Sequence, residues 1–177
     1  MNVRAAPTIF ARRGSCPLRV VLALVVMAAA GALATAFGLE YLGGYAPCSL
    51  CILERWPWAA ALIAGVIGLA IGGPRKALAV AVLALVGNAL LSAYHVGVEA
   101  GWFALPSSCS AGGGASTIEE LRAQLQTARP TCDRVALRLL GLSLAAWNGL
   151  SAAAVAALAA AALLRSPRSG ERPALSS

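Results

Sequence analysis

Apolar residues follow one another without a charge over four stretches of the chain, separated by short polar segments. An α-helix needs about 20 mostly apolar residues to cross the hydrocarbon layer of a bilayer. We therefore predict membrane-spanning helices at about 20–39, 52–71, 77–98 and 139–164. The strands of a membrane barrel would show short alternating segments instead of continuous apolar runs. The pattern predicts an all-α integral membrane protein with four spans within 20–164.

Composition excludes a water-soluble globule. Of 177 residues, 59% are hydrophobic and 12% are charged, and the mean hydropathy is +0.77, whereas roughly a quarter of the residues in soluble domains are charged. The net charge of +7 would suggest a nucleic-acid partner in a soluble protein. In a membrane protein the distribution of charge over the two sides of the membrane indicates the orientation of the chain instead. We therefore expect a lipid bilayer, and no nucleic acid, as partner.

The segments between the predicted spans differ in charge from side to side. The N-terminal segment 1–19, the tight turn 72–76 and the tail 165–177 together carry nine basic residues and one acid. The connections 40–51 and 99–138, with the residues that flank them, carry five basic residues and six acids. Basic residues concentrate on the cytoplasmic side. We therefore predict cytoplasmic N and C termini and two external loops, of which the second is long.

Both ends of the chain have additional features. The basic segment, the first apolar run and the small residues at 32–36 also fit a cleavable signal peptide, although small residues at this spacing serve helix packing in membranes as well. The next segment emerges outside in either case. The polar tail 165–177 is predicted to be disordered.

The predicted topology divides the five cysteines into two groups. Cys48, Cys51, Cys109 and Cys132 lie in the external loops, where disulfides persist, and Cys16 lies alone on the reducing side with no assigned role. This division predicts two disulfide-forming pairs. Zinc binding is the rival interpretation, but the 22 residues between Cys109 and Cys132 do not match zinc-ribbon spacing, and we expect no metal.

The C-x-x-C element, Cys48 to Cys51, precedes the second predicted span. A helix N-terminus and a nearby cation stabilise a thiolate and make such a pair redox active. Arg55 is four residues beyond Cys51 and would lie on the same helix face, or would extend to the lipid headgroups. Pro57 suits a first helical turn but would kink a helix already under way.

His95 lies near the outer end of the third predicted span, at a depth similar to that of Arg55. It is either a packed, hydrogen-bonded group or a reactive one. A thiolate, an arginine and a histidine at one membrane level could together hold an electron acceptor.

The long external loop contains a helix signal. Residues 116–119, Ser-Thr-Ile-Glu, have the form of a capping box, and Ile118, Leu121 and Leu125 follow on one face. These residues predict a short amphipathic helix between the glycines at 112–114 and Pro130, either lying on the membrane or simply solvated.

Several of these motifs, taken together, resemble the bacterial disulfide-bond formation protein B family. The motifs are Pro-Cys-Ser-Leu-Cys at 47–51, Glu-Arg at 54–55, Tyr-His at 94–95, Pro-Thr-Cys-Asp at 130–133, Gly-Leu-Ser at 141–143 and Trp-Asn at 147–148. They occur in order over about 20–164. The resemblance implies a four-transmembrane-helix bundle at 20–164. It also implies a disulfide-generating oxidoreductase of the bacterial inner membrane that reoxidises a periplasmic DsbA-type protein and reduces ubiquinone or menaquinone.

The resemblance also implies a role for each reactive residue. The partner's thiolate would attack Cys109, and Cys132 would then form a transient disulfide with Cys48. Cys51 would become the thiolate that contacts the quinone. Arg55 would favour that thiolate and polarise the quinone, and His95 falls near the quinone-proximal histidine of the family.

Three alternatives are distinguishable from this function. In a protein like vitamin K epoxide reductase the loop cysteine pair precedes the C-x-x-C, whereas here Cys48 and Cys51 come first. A non-catalytic membrane protein with structural disulfides would have no need of Arg55 or His95. A dedicated relative would serve a single client instead of a general DsbA.

Overall fold

Four long helices dominate the structure, a computed structural model that describes residues 16–109, 117–120, 122, 130–135 and 137–166. In chain order the elements are α1 (Cys16–Tyr41), α2 (Ser49–Leu53), α3 (Arg55–Ile71), α4 (Pro74–Glu99), a 3₁₀ turn (Ser107–Cys109), β1 (Arg138–Leu139), β2 (Leu142–Ser143) and α5 (Leu144–Arg165). Four helical segments, with α2 and α3 counted as one, are long and apolar enough to cross a membrane. This observation confirms the predicted all-α membrane fold.

The second span is broken near its start. Pro57 has no N–H with which to bond the carbonyl four residues earlier, that of Leu53. Leu53 is the last residue of α2, and Glu54 joins α2 to α3. Pro57 therefore lies in the first turn of α3, and the C-x-x-C element belongs to the separate short helix before it.

A two-residue turn joins α3 to α4. Gly72 has φ of 80°, the left-handed conformation that glycine adopts most readily, and the Gly73 N–H donates to the Gly68 carbonyl at 3.0 Å. Pro74 then starts α4, a position where a missing N–H costs nothing. The predicted polar turn at 72–76 is thus shorter than expected, and Pro74 already belongs to the helix.

The fourth span begins later than predicted. Instead of helix from residue 139, residues 138–143 form an antiparallel hairpin that pairs Leu139 with Leu142. Leu140 and Gly141 both have positive φ, 52° and 84°, as a tight hairpin turn requires. The Ser143 hydroxyl accepts a hydrogen bond from the Ala146 N–H at 3.2 Å and caps α5 at its start.

Small residues allow the long helices to approach one another closely. The buried face of α5 consists of alanines, at positions 145, 152, 156 and 159. A side chain added at Gly65 would meet Val26, and one at Gly68 would meet Ala77. Such contacts are typical of helix packing in membranes. Large apolar side chains on the opposite faces are exposed, including Met27, Leu83 and Leu90.

Only a small part of the predicted loop helix falls within the described residues. Residues 118–120 and 122 are helical, and the Thr117 hydroxyl accepts a hydrogen bond from the Glu120 N–H at 3.2 Å. The cap is therefore Thr117, one residue later than the Ser116 of the predicted capping box. Ser116, Leu121, Leu125, the glycines at 112–114 and the tail beyond 166 lie outside the described residues.

Candidate functional site

The first cysteine pair lies at the start of α2. Cys48 and Cys51 form a disulfide with their Cα atoms 5.1 Å apart. Cys48 is the N-cap residue, and its Sγ accepts a hydrogen bond from the Cys51 N–H at 3.1 Å. Cys48 is buried, whereas Cys51 is half-buried. The sulfur that caps the N-terminus of α2 is thus also one of the two sulfurs of the disulfide that can undergo exchange.

The second pair packs directly against the first. Cys109 and Cys132 form a disulfide with an S–S distance of 2.07 Å, and they are 3% and 1% exposed. Together with Cys48, Leu50 and Val98 they make one buried cluster. The two predicted disulfide pairs are confirmed as pairs at bonding distance, and the fold brings them side by side.

Ser49 connects the two pairs and was not singled out from the sequence. Its Oγ lies 3.0 Å from Cys109 Sγ and 3.4 Å from Cys132 Sγ. The residue lies inside the C-x-x-C element, next to Cys48. A serine between two cysteines has no distinctive sequence signal, because its contact is with a segment 60 residues further along the chain.

His95 lies on Cys48 rather than on Cys51. Its Nε2 is 3.7 Å from Cys48 Sγ, and its Nδ1 is 3.0 Å from Glu54 Oε1. Because a carboxylate accepts hydrogen bonds, Nδ1 carries a hydrogen, and the other ring nitrogen, Nε2, faces the sulfur. All three side chains are almost fully buried. Glu54 was part of the sequence motif, but no role was predicted for it.

A buried polar network supports Glu54 from the facing helices. Asn148 on α5 donates to Glu54 Oε2 at 3.1 Å and to Ser92 Oγ at 2.9 Å, and it accepts from Trp58 Nε1 at 2.7 Å. With its amide oriented to match its neighbours, Asn88 donates to the Glu54 carbonyl at 3.1 Å. This network fixes the carboxylate that orients His95.

The sequence does contain a signal for part of this network. Asn88, Ser92 and His95 follow one another at i, i+4 and i+7 within an apolar run, which places them on one face of α4. Polar residues inside a span face the bundle interior and are functional candidates. All three are buried in the structure, together with Leu85 and Ala81 on the same face.

Arg55 is held at the start of α3 by two residues of α1. Its guanidinium donates to Glu40 Oε2 at 2.5 Å and lies 4.8 Å from the centre of the Phe37 ring. Its Nε is buried, and no group in the described part of the chain accepts its hydrogen. A buried donor without an acceptor is costly, so an acceptor for the Nε hydrogen would stabilise this arrangement.

A cavity of about 340 Å³ opens beside Arg55 and Cys51. Its wall is mostly apolar and comes from α1, the 42–48 connection, α2, α3 and α5. The lining residues besides Arg55 and Cys51 are Ala32, Leu33, Thr35, Ala36, Leu39, Tyr45, Ala46, Glu54, Trp58, Leu144, Ala145, Trp147, Asn148 and Ser151. Arg55 and Cys51 thus both line this cavity, although they belong to two separate helices and not to one face of a continuous helix as the i, i+4 spacing predicted.

His95 does not line this cavity. It borders a second, smaller one of about 40 Å³ together with Cys48, Cys51, Glu99 and Arg134. The structure therefore separates the two groups that were expected at one acceptor. Arg55 faces the large cavity with Cys51, and His95 contacts the other sulfur of the disulfide.

Comparison with known proteins agrees with this arrangement. The family model of disulfide bond formation protein DsbB matches residues 18–162. A protein of Rickettsia prowazekii (strain Madrid E), described as uncharacterized protein RP370, is 31% identical over 124 residues, covering 66% of this chain and 71% of that protein. No solved structure matches. The match spans all four long helices and both cysteine pairs, and the chain belongs to the disulfide bond formation protein DsbB family.

Proposed function

We propose that the protein is a dithiol:quinone oxidoreductase that reoxidises a periplasmic DsbA-type protein. Family membership indicates a disulfide-generating membrane oxidoreductase. The observation that carries the finer proposal is the continuous arrangement of reactive groups. The two disulfides share one buried cluster, Ser49 contacts the second of them, and Cys51 of the first borders a large apolar cavity.

Thiol–disulfide exchange between the two pairs accounts for the first half of the reaction. The partner's thiolate attacks Cys109 Sγ, the bond to Cys132 breaks, and Cys132 leaves as a thiolate. Cys132 then attacks Cys48 Sγ and displaces Cys51 as a thiolate. The partner's second thiol displaces Cys109 and leaves the partner oxidised. Cys109 then attacks Cys132 Sγ and displaces Cys48, so the two electrons of the partner dithiol come to reside on the Cys48 and Cys51 thiols, and Cys51 borders the cavity.

Side chains around the sulfurs favour these steps. The Ser49 hydroxyl lies 3.4 Å from Cys132 Sγ and can donate to the thiolate that leaves there. Hydrogen bonds to charged groups are the stronger ones. The Nε2 lone pair of His95 is placed to accept the proton of a Cys48 thiol. Glu54 holds the ring in that orientation.

The residues around the large cavity fit a quinone. The volume of about 340 Å³ is in the range of small-molecule sites, and the guanidinium of Arg55, a residue that lines the cavity, is a donor suited to a carbonyl oxygen. Trp58 and Trp147 contribute aromatic surface to the wall. A bound quinone would supply a two-electron, two-proton acceptor. Arg55 would hold its oxygen, and Cys51 would face its ring.

Charge distribution supports the orientation needed for this reaction. The α3–α4 turn with Arg75 and Lys76 and the end of α5 with Arg165 lie at one end of the bundle, since Arg75 donates to the Ser166 carbonyl at 2.8 Å. Basic residues concentrate on the cytoplasmic side. Both disulfides then lie on the periplasmic side of the bacterial inner membrane.

A quinone-reduction assay tests the function. Purified protein in detergent receives a reduced DsbA-type thioredoxin-fold protein and a short-chain ubiquinone or menaquinone analogue, and quinone absorbance is followed. We expect turnover by the wild type and by Cys16→Ser, and none by Cys51→Ser. Absence of turnover in wild-type protein with both disulfides formed would instead favour structural disulfides.

A further inference from the structure

Three potential metal ligands meet at the first cysteine pair. The Sγ atoms of Cys48 and Cys51 and a ring nitrogen of His95 all lie within 4.8 Å of one another. Cys48 Sγ and His95 Nε2 are 3.7 Å apart. In a tetrahedral zinc site with Zn–S near 2.3 Å and Zn–N near 2.0 Å, sulfur and nitrogen ligands lie roughly 3.5 Å apart. The separation in the structure is therefore close to that of a metal-bound pair.

The surroundings of His95 match those of a zinc-bound histidine. A ligating histidine commonly donates its other ring N–H to a carboxylate, which fixes the tautomer and makes the ligating nitrogen more basic. Glu54 Oε1 occupies that position at 3.0 Å from Nδ1. Asn148 in turn holds Glu54 at 3.1 Å. The Cys51 N–H donates to Cys48 Sγ at 3.1 Å, a contact that also stabilises a thiolate.

Space for a metal ion adjoins the three ligands. The cavity of about 40 Å³ is bordered by Cys48, Cys51 and His95, and such a volume accommodates a single water molecule as a fourth ligand. Glu99 also borders it and adds a negative charge near a cation, while Arg134 on the rim offsets part of that charge.

We infer that the reduced Cys48–Cys51 pair and His95 bind a thiophilic divalent cation, Zn²⁺ above all. The two thiols lose their protons to solvent, two Zn–S bonds and one Zn–N bond form, and no electrons move. The oxidised pair has no thiolates and binds nothing, so the site exists only after the disulfide opens. It differs from the four-cysteine zinc site weighed from the sequence, because His95 replaces the second pair.

Cobalt provides a test that does not depend on quinone turnover. The test uses full-length protein in which Cys16, Cys109 and Cys132 are replaced by serine. The protein is reduced with a phosphine, the phosphine is removed under anaerobic conditions, and the protein is titrated with Co²⁺. We expect one Co²⁺ per chain with thiolate charge-transfer absorption, which Zn²⁺ displaces. Glu54→Gln should weaken binding by about 10- to 100-fold. The same protein with the Cys48–Cys51 disulfide intact should show no such absorption.

Two histidine variants decide whether His95 is a ligand. His95→Ala should lose most of the affinity, and His95→Cys should keep the metal with a stronger thiolate absorption, which shows that the fold survives the change. Absence of stoichiometric binding by the reduced protein, or binding that His95→Ala leaves unchanged, would overturn the inference. If the metal binds as described but the wild type never reduces a quinone, the proposed function fails and the metal site stands.

Discussion

Arg55 illustrates how one side chain can stabilise the protein and serve a ligand at once. Its terminal nitrogen pairs with Glu40, and its plane lies near the Phe37 ring, so the guanidinium is held in place from α1. Arg55 also lines the large cavity, and its buried Nε has no acceptor in the described part of the chain. A lysine has one compact charge in place of a planar fork and cannot make both sets of contacts.

Replacement of Arg55 by lysine should therefore weaken quinone use selectively. We expect Arg55→Lys to raise the KM for quinone about tenfold or more, which corresponds to roughly 1.4 kcal/mol or more of binding, with electron transfer from the partner to the cysteines unchanged. Initial rates over a range of quinone concentrations measure the first effect, and acid-quenched single turnovers measure the second. Arg165→Lys, at the other end of the bundle, serves as the matched control. An unchanged KM would remove Arg55 from the quinone site.

Ser49 should matter for a different step. Removal of its hydroxyl takes a hydrogen-bond donor away from the leaving Cys132 thiolate, and bonds to charged groups contribute about 1.5–3 kcal/mol. We expect Ser49→Ala to slow exchange between the two disulfides by about tenfold or more, with the KM for quinone unaltered. Ser49→Thr retains the hydroxyl and should recover most of the rate. Rapid mixing with reduced partner followed by thiol trapping gives the rate, and equal rates for wild type and Ser49→Ala would contradict this role.

At the level of secondary structure, α4 and α5 meet through polar as well as apolar residues. Asn148 on α5 bonds Ser92 on α4 and also reaches Glu54 and Trp58. Away from water a lost partner is not replaced by solvent. The packing of α4 against α5 is therefore determined by the hydrogen bonds of the Asn148 amide as well as by the alanine face of α5.

Truncation of Asn148 should loosen the bundle. Since hydrogen bonds between membrane helices contribute on average about 0.6 kcal/mol each, we expect Asn148→Ala to lower the free energy of unfolding by about 2 kcal/mol for its three lost bonds. Unfolding in mixed detergent micelles with increasing SDS, followed by circular dichroism, measures this loss. Ser151→Ala is the control, because among the described residues its hydroxyl bonds the Asn148 backbone carbonyl one turn away and no other helix. Equal stability of the two variants would argue against the network.

The limits of sequence reasoning also lie at the level of elements. Span number and approximate position follow from the length of apolar runs, and the structure confirms four. The hairpin before α5 did not follow, because residues 139–143 are mostly apolar and hydropathy does not distinguish a strand from a helix over so short a run. Only Gly141 indicated a turn there. For Pro57 the sequence allowed either a place in the first turn of a helix or a kink within a helix, and the structure has the first of these.

The site was predictable in part for a similar reason. Cys51 and Arg55 are four residues apart in sequence, so their shared place at the large cavity needs no long-range contact, although a helix break lies between them. Ser49 and Cys109 are 60 residues apart, and Glu54 and Asn148 are 94 apart. Nothing local to either residue indicates such a contact. His95 was predicted at a depth similar to that of Arg55, and it contacts Glu54, the residue before Arg55. Which sulfur it contacts depends on the rotation of α4.

For the molecule as a whole, the proposed orientation makes a direct prediction. In a variant without Cys16, a cysteine introduced at Leu42, which is 91% exposed, should react with a membrane-impermeant maleimide added to intact spheroplasts. A cysteine at Lys76, in the basic first turn of α4, should react only after the membrane is opened. The reverse pattern would place the disulfides in the cytoplasm and contradict the proposed function.

The burial of Cys109 and Cys132 has a consequence for which reductants the protein can use. A sulfur that is 3% exposed is closed to a freely diffusing small thiol until the surrounding segment moves. A protein with a matching surface can use its binding energy to uncover that sulfur, whereas a small thiol has little binding energy available. Under the proposed function, the closed cluster would therefore favour oxidation of protein dithiols over oxidation of low-molecular-weight thiols.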